Sequence, residues 1–463
     1  MHDERSRTRR DLAVAIHAAA VSGVNPRGVT HRAVAERLTS ASGPFWIVAL
    51  GKASAAMATA AVDALAAHDV EPEGGVIIGL DSEPPPHTRL ESFAGDHPIP
   101  GERSTVASAA VGDLASRVNG AGTVFVLLSG GATSLVAAPA PGVEERDLVR
   151  LFDGLLASGA DITVMNAIRK RFTRWGAGRL ARALAPARVD CLIVSDVVGD
   201  DIGAIGSGPC APDPFDAAAI AALIERHGLE SFVPRSLRIL LAPDSALDAP
   251  PPPNDPVFDN VECSVILGNR IALAAAAGRA RELGTPVKVV QEPLVDDATF
   301  TAQRIVDELV RYREAGLPLA NPGPASSSSR EAEFACMIWG GETTVRLGPG
   351  NAPAGGRCQE LALAAADALR AEEDRGAGIT LLAAGTDGRD GPTDAAGAVV
   401  DATTWEAIQG VGRDPGEDLL EHRSYAALDA VGALVRTGPS GTNVGDVVVG
   451  IVERPARDRV SAG

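Results

Sequence analysis

A single recurring pattern limits the folds open to this chain. A short apolar run, often β-branched, ends in a Gly-rich or acidic turn, and an Ala-rich helical stretch usually follows. The clearest instance is Phe45 to Leu50, then Gly51-Lys52-Ala53-Ser54, then a helix through Met57 and Ala61. Thr123 to Leu128 leads into Ser129-Gly130-Gly131-Ala132-Thr133-Ser134, and Cys191 to Val194 into Ser195-Asp196-Val197-Val198-Gly199-Asp200-Asp201. Ser264 to Leu267 leads into Gly268-Asn269, Cys336 to Trp339 into Gly340-Gly341-Glu342-Thr343-Thr344, and Ile379 to Ala384 into Gly385-Thr386-Asp387-Gly388. Strands alternating with helices predict an α/β protein of mostly parallel sheets with helices on both faces and a Rossmann-like N-terminal domain. Only 3% of residues are aromatic, so Ala, Val, Leu and Ile must pack the core, as suits buried parallel strands.

At 463 residues the chain exceeds one ordinary core, and two or three domains are expected from length alone. Pro250 to Pro253 reads as a stiff loop, whereas Asn321-Pro322-Gly323-Pro324 with Ser326 to Ser329 has the composition of a linker. The expected division is therefore an N-terminal α/β domain over 1–320, a linker over 321–333, and a C-terminal α/β domain over 334–460.

A net charge of −18 repels nucleic acid and anionic membrane surfaces, so neither is an expected partner. The five cysteines are scattered without a CxxC pair, which argues against zinc and against a disulfide framework. Arg5, Arg7, Arg9 and Arg10 before an apolar stretch resemble a signal peptide, but Asp3, Glu4, Asp11 and His17 interrupt that pattern. An amphipathic first helix is the better reading. With no run apolar enough to span a bilayer, the cytoplasm is the expected compartment.

In parallel sheets ligands bind beyond the carboxyl ends of the strands, where every turn named above falls. Phosphoryl transfer needs backbone N–H groups around phosphate oxygens, cations on the developing charge, and carboxylates for Mg²⁺. Ser129, Gly130, Gly131 and Ser134 are candidates for the cradle, as are Gly340, Gly341, Glu342 and Thr343, although Gly-rich turns also serve tight packing. Neither loop is a Walker A or a GxGxxG sequence. Lys52, directly after a strand, and Arg357, at the opening of an Ala/Leu-rich helix, are the candidate cations, with solvated surface positions as the ordinary alternative. Asp196 and Asp387 are the best-placed metal ligands, and most of the neighbouring Asp200, Asp201, Asp390 and Asp394 are expected to do something else, such as cap helices or accept hydrogen bonds from substrate hydroxyls. His97, in Gly95-Asp96-His97-Pro98, is the one histidine within a structured-looking motif. No GxSxG elbow or HExxH site is present.

Taken in order, these motifs resemble the glycerate 2-kinases that carry a MOFRL C-terminal domain. The resemblance rests on Gly51-Lys52-Ala53, Gly95 to Pro100, Leu128 to Gly131, Asn166 to Lys170, Ser195 to Asp201, Gly340 to Val345, Gly356-Arg357 with Gln359 to Leu363, Gly385 to Gly388, Asp390 to Gly397, and Gly441 to Val444. It implies a two-domain protein with its active site in the interdomain cleft, ATP and Mg²⁺ as phosphoryl donor and cofactor, and D-glycerate phosphorylated at its 2-hydroxyl. It also implies that Lys52 and Arg357 are catalytic, with Asp196 orienting or deprotonating the acceptor hydroxyl. The sequence departs from the family pattern at Cys358, at Arg171 and Gly176, and in the 129–135 loop, which leaves the identity of the small hydroxy acid open. Two other readings stand beside it. One is an NAD(P)-dependent hydroxypyruvate reductase, which calls for a dinucleotide fingerprint that is not evident; the other is a non-catalytic ligand-binding paralogue. The oligomeric state is open, a homodimer being one candidate.

Overall fold

The apolar runs form two six-stranded sheets, each within its own body of the chain. The structure is a computed structural model and describes residues 2–454, apart from 42, 119, 121, 243, 244, 246, 316–331 and 348–353. One body comprises Pro26–Leu267 and the other comprises Met1–Asn25 with Gly268–Gly463.

In the Pro26–Leu267 body the strands are β1 (Phe45–Leu50), β2 (Gly74–Gly79), β3 (Leu90–Ala94), β4 (Thr123–Ser129), β5 (Arg188–Val194) and β6 (Val261–Leu267). They lie in the order β3-β2-β1-β4-β5-β6, and every pairing is parallel. This is the doubly wound order, so the Rossmann-like expectation holds. Both faces are buried, which is why β1 and β4 read as unbroken apolar runs rather than alternating ones. Trp46, Val48, Leu50, Val124, Val126 and Leu128 pack with Ala107, Val111 and Leu114 of the Glu102–Arg117 helix. The alternate residues Ile47, Ala49, Phe125 and Leu127 are equally buried, and the Ala-rich Ser54–Ala66 helix contacts β1, β2 and β4. Each fully buried Leu, Ile or Phe contributes about 2 kcal/mol of transfer free energy. The chain winds outward from β1 to β3, then returns to β4 on the other side of β1. The loops after β1 and β4 therefore meet at a topological switch point.

The second body contains β7 (Val287–Val289), β8 (Phe334–Gly341), β9 (Ile379–Gly385), β10 (Gly397–Asp401), β11 (Leu434–Val435) and β12 (Asp446–Glu453), in the order β11-β10-β9-β12-β8-β7. Only β7 and β8 pair in parallel; the pairings β8–β12, β12–β9, β9–β10 and β10–β11 are antiparallel. The parallel character expected of both sheets is thus complete in the first and local in the second. One reason is visible in the chain: no helix separates β9 from β10, so the strand returns beside its neighbour in the opposite sense. One face carries the Ala298–Glu314 and Arg357–Ala371 helices, with Met337, Trp339, Leu381 and Val448 beneath them. On the other, the His2–Gly23 and Asn269–Glu282 helices contact β8, β9 and β12.

Two expectations change here. The N-terminal segment is the helix foreseen, but it belongs with the C-terminal sheet: Arg9 is buried, donates to Thr380 Oγ1 at 3.1 Å and pairs with Glu453. The division expected over 321–333 also moves, because β7 and the helices on 269–282 and 298–314 pack with β8 and β12. Residues 316–331 lie outside those described. Membership of a body is set by the sheet against which the flanking apolar faces are buried, not by a linker-like composition between them.

Candidate active site

At the switch point of the parallel sheet, two glycine-bearing turns are locked together. Gly51 has φ +118°, and a Cβ there would lie 2.3 Å from Ser129 Oγ and 2.4 Å from its carbonyl oxygen, so only glycine fits. Lys52 N donates to Gly130 O at 2.9 Å and Ala53 N to Ser129 Oγ at 3.0 Å. The backbone of Lys52 is thereby fixed while its side chain stays exposed. A Cβ on Gly130 would come within 1.8 Å of Asp196 Oδ2, which places that carboxylate directly against the loop. A Cβ on Gly131, at φ +83°, would meet Lys52 Cγ and Cε at 3.2 Å and His97 Cδ2 at 3.5 Å. The fold therefore gathers an ammonium, an imidazole and a carboxylate around one Gly-Gly step.

The charges are coupled. Burial raises the pKa of Asp196, opposed by Lys52 and by an N–H of its own backbone. Burial lowers that of His97, and Lys52 pushes it the same way, so the imidazole is held neutral beside the ammonium.

The serine hydroxyls expected in the cradle are occupied within the chain. Ser129 Oγ accepts from Ala53 N and approaches Leu50 O at 3.4 Å, while Ser134 Oγ donates to Pro98 O at 2.6 Å. The helix after the loop is a single turn, Ala132–Leu135, so its dipole adds little. Of the loop residues expected to form the cradle, Gly130 and Gly131 are left without a side chain between their backbone and Lys52, His97 and Asp196. Of the nearby acids, Asp201 Oδ1 accepts from Gly203 N at 2.9 Å and so holds its own turn.

In the second body Arg357 opens its helix, and its Nε and Nη2 hold Asp446 bidentately at 2.6 and 2.9 Å. Nη1 lies 3.1 Å from Glu342 Oε1. Burial works against the guanidinium charge, but Asp446 and Glu342 outweigh it and raise its pKa. About a third of the side chain stays exposed, at 32%. Asp390 accepts from Cys358 N at 3.2 Å and Gln359 N at 2.8 Å, capping the helix that Arg357 begins. Cys358 is buried behind Arg357; burial first, then Asp446 and Asp390, raise its thiol pKa, so it stays protonated and inert.

The second glycine pair differs from the cradle expected of it. A Cβ on Gly340 would lie 1.8 Å from Asn269 Oδ1, and Asn269 Nδ2 donates to Val444 O at 2.9 Å and Asp446 O at 3.0 Å. Gly340 O accepts from Leu294 N at 2.9 Å, and Glu342 N donates to Leu294 O at 2.7 Å. These glycines admit an asparagine and a neighbouring backbone, which is a packing role. Thr343 is buried, and its hydroxyl has no partner among the described residues. Asp387 Oδ1 accepts from Arg389 N at 3.0 Å, and Asp394 accepts from Tyr425 and Arg436. Among the described residues no group of three His, Cys, Asp or Glu side chains is arranged to hold a metal.

The first body thus joins Lys52, Ser129, Gly130, Gly131 and Asp196 and adds His97, which the sequence placed in a structured motif without a site role. The second joins Glu342 to Arg357 and adds Asp446, which the sequence reading did not single out. An acid before an apolar run is commonplace, and nothing local distinguishes Asp446. At the departures from the family pattern, Arg171 is buried, and a Cβ on Gly176 would meet Thr173 Oγ1 at 2.7 Å.

The fold is that of an α/β protein with charged side chains gathered at the switch point of its doubly wound sheet and an acid-clamped arginine in its second body, and its relatives are enzymes. Residues 12–242 match the family described as "Domain of unknown function (DUF4147)", and residues 335–446 match the MOFRL family. The D-glycerate 2-kinase of Thermotoga maritima is 35% identical over 88% of this chain and 90% of its own length. A relative in Agrobacterium vitis that carries hydroxypyruvate reductase as a provisional name is 35% identical over 95% of this chain and 93% of its own. The crystal structure of Thermotoga maritima glycerate kinase matches with a TM-score of 0.80 at 33% identity, covering 96% of this chain and 100% of that one. The chain belongs to the glycerate 2-kinase family with a MOFRL domain.

Proposed function

We propose that this chain transfers the γ-phosphoryl group of ATP to the 2-hydroxyl of D-glycerate, giving 2-phosphoglycerate, in the cytoplasm. The observation that carries the reading is the placement of Lys52 over Gly131, with His97 and Asp196 at the same turn, at the switch point where doubly wound sheets bind ligands. The two glycines let phosphate oxygens approach the backbone, and Lys52 neutralises charge as it spreads over the transferring group. His97, neutral beside Lys52, adds no second charge and leaves the lysine as the local cation. Asp196 has two carboxylate oxygens against the loop, one suited to the acceptor hydroxyl and the other to Mg²⁺. A single half-buried carboxylate fits Mg²⁺, which takes one or two protein carboxylates and completes its shell from phosphate and water. When bound, Mg²⁺ supplies charge neutralisation on the phosphate oxygens. Asp387 has one oxygen committed to its own turn, so we assign the metal to Asp196. Arg357, its direction fixed by Asp446 and Glu342, is partly exposed and offers its remaining N–H groups to an anionic substrate group.

The hydroxypyruvate reductase reading has the Agrobacterium name in its favour, but the switch-point loops carry a lysine where a dinucleotide fold carries its GxGxxG turn. One experiment separates the readings. Purified protein is incubated with ATP, Mg²⁺ and D-glycerate and followed by phosphorus NMR; in parallel, hydroxypyruvate and NADH are followed by absorbance. ATP-dependent 2-phosphoglycerate with unchanged NADH is expected. NADH oxidation without a phosphorylated product would reverse the assignment, and binding of ATP or glycerate without turnover would make the chain a non-catalytic paralogue.

A further inference from the structure

The residues around the start of the Arg357–Ala371 helix are packed more tightly than a helix terminus requires. Gly356 leaves no room for a side chain, since a Cβ there would lie 2.2 Å from Asp390 Cγ. Gly391, at φ +60°, would place a Cβ 2.1 Å from Gly355 O. Gln359 closes the arrangement by donating through Nε2 to Asp390 O at 3.2 Å and Thr393 Oγ1 at 2.9 Å, while Thr393 Oγ1 donates to Asp390 O at 2.8 Å. Asp390 itself is 3% exposed and makes both side-chain bonds to the first turn of the helix. The loop between β9 and β10 is thus clamped onto the residue pair that precedes Arg357.

We propose that Asp390 is a positioning residue for Arg357: its capping carboxylate fixes the helix start from which the guanidinium is aimed, so its ionisation switches Arg357 between a held and a slackened state. The inference rests on the reading of Arg357 as a substrate-binding residue. The groups facing Asp390 are Arg357 and Cys358 on the capped helix and Asp446 at the start of β12. Burial raises the Asp390 pKa to about 7, Gln359 N opposes it, Asp446 adds to it, and Cys358 N and Arg357 oppose it. The carboxylate therefore changes charge near neutrality, unlike an ordinary N-cap aspartate, which is ionised throughout that range. An ionised cap accepts both N–H bonds at full strength; a protonated one weakens them. Turnover should accordingly rise as pH passes upward through about 7.

The test compares Asp390→Asn, Asp390→Ala and Arg357→Ala in the full chain, with kcat and KM for glycerate measured from pH 5.5 to 8.5. Asparagine keeps one capping acceptor but cannot titrate. We expect Asp390→Asn to keep measurable turnover while losing the rise near pH 7, and Asp390→Ala to lower kcat at pH 8 by roughly tenfold, as for loss of a good cap. An Asp390→Asn enzyme with the wild-type pH profile overturns the proposal, because a merely structural aspartate would leave that profile in place. So does an Asp390→Ala enzyme with wild-type kcat and KM while Arg357→Ala is impaired. Wild-type turnover in Arg357→Ala would instead overturn the underlying reading of Arg357. If Asp390→Ala fails to fold, the Asp390→Asn profile decides alone.

Discussion

Lys52 is held by its backbone while its side chain is exposed, an arrangement suited to a charge that must meet a moving phosphoryl group. Lys52→Ala should therefore lower kcat about a hundredfold, the typical loss for one electrostatic group, with the melting temperature little changed because the removed atoms are exposed. Near-normal turnover in a folded Lys52→Ala protein would remove the lysine from the mechanism. Gly131 makes a sharper case. Its φ of +83° strains any other residue, and a new Cβ would press on Lys52 at 3.2 Å. Gly131→Ala should thus depress kcat with only a modest stability cost of about 1 kcal/mol, and kinetics beside thermal unfolding separate the two effects. Gly340 should behave oppositely. Gly340→Ala forces its Cβ into Asn269, and a loss of about 2 kcal/mol in denaturant unfolding is expected. The doublets look alike in sequence. What distinguishes them is the contents of the space beside each: the exposed Lys52 side chain in one case, an asparagine hydrogen-bonded to two carbonyls in the other.

Among the elements, the first helix carries the most unexpected task. His2–Gly23 buries Ala13, Ile16 and Ala20 in the second body, and with them His17, which is 1% exposed. Burial lowers the His17 pKa to about 4 from the ordinary 6.5, against the opposing pull of the Ala384 carbonyl and of Asp446. The unfolded chain binds this proton at pH 6.5, whereas the folded chain does not until about pH 4. The His17 contribution is therefore complete above pH 6.5 and is lost as pH falls toward 4, by about 3 kcal/mol in all. Replacing His17 by Leu should remove that part of the acid sensitivity, as read from denaturant midpoints between pH 4 and 7. An unchanged acid limb would show that His17 is not the responsible group. The amphipathic character of this helix was legible from Leu12 to Ile16, but its destination was not, because an apolar stripe specifies that a partner exists without specifying which sheet provides it.

For the molecule as a whole, chain order and body membership part company. Pro26–Leu267 is continuous and owns a complete parallel sheet, whereas the other body needs both ends of the chain. A fragment spanning 26–267 should fold and unfold cooperatively on its own. A fragment from 268 onward, deprived of residues 1–25, should expose the sheet face under the first helix and aggregate or remain uncooperative in circular dichroism melts. Restoring residues 1–25 as a separate peptide should recover part of the transition. If the 268–463 fragment melts as sharply as the intact chain, the N-terminal helix is dispensable to that body.

What the sequence determined unaided was everything that depends on near neighbours. The strand runs, the Ala-rich helices, the turn at Gly51-Lys52, the Gly130-Gly131 step and Asp196 were all legible, because strand periodicity, helix propensity and glycine's backbone freedom act over a few residues. Tertiary structure alone decided that Arg357 would be clamped by Asp446, 89 positions away. It also decided that β12 would insert between β8 and β9, that Asn269 would fill the space beside Gly340, and that the N-terminal helix would join the C-terminal sheet. Such choices turn on which buried faces are complementary across long stretches of chain, and no local pattern encodes the partner.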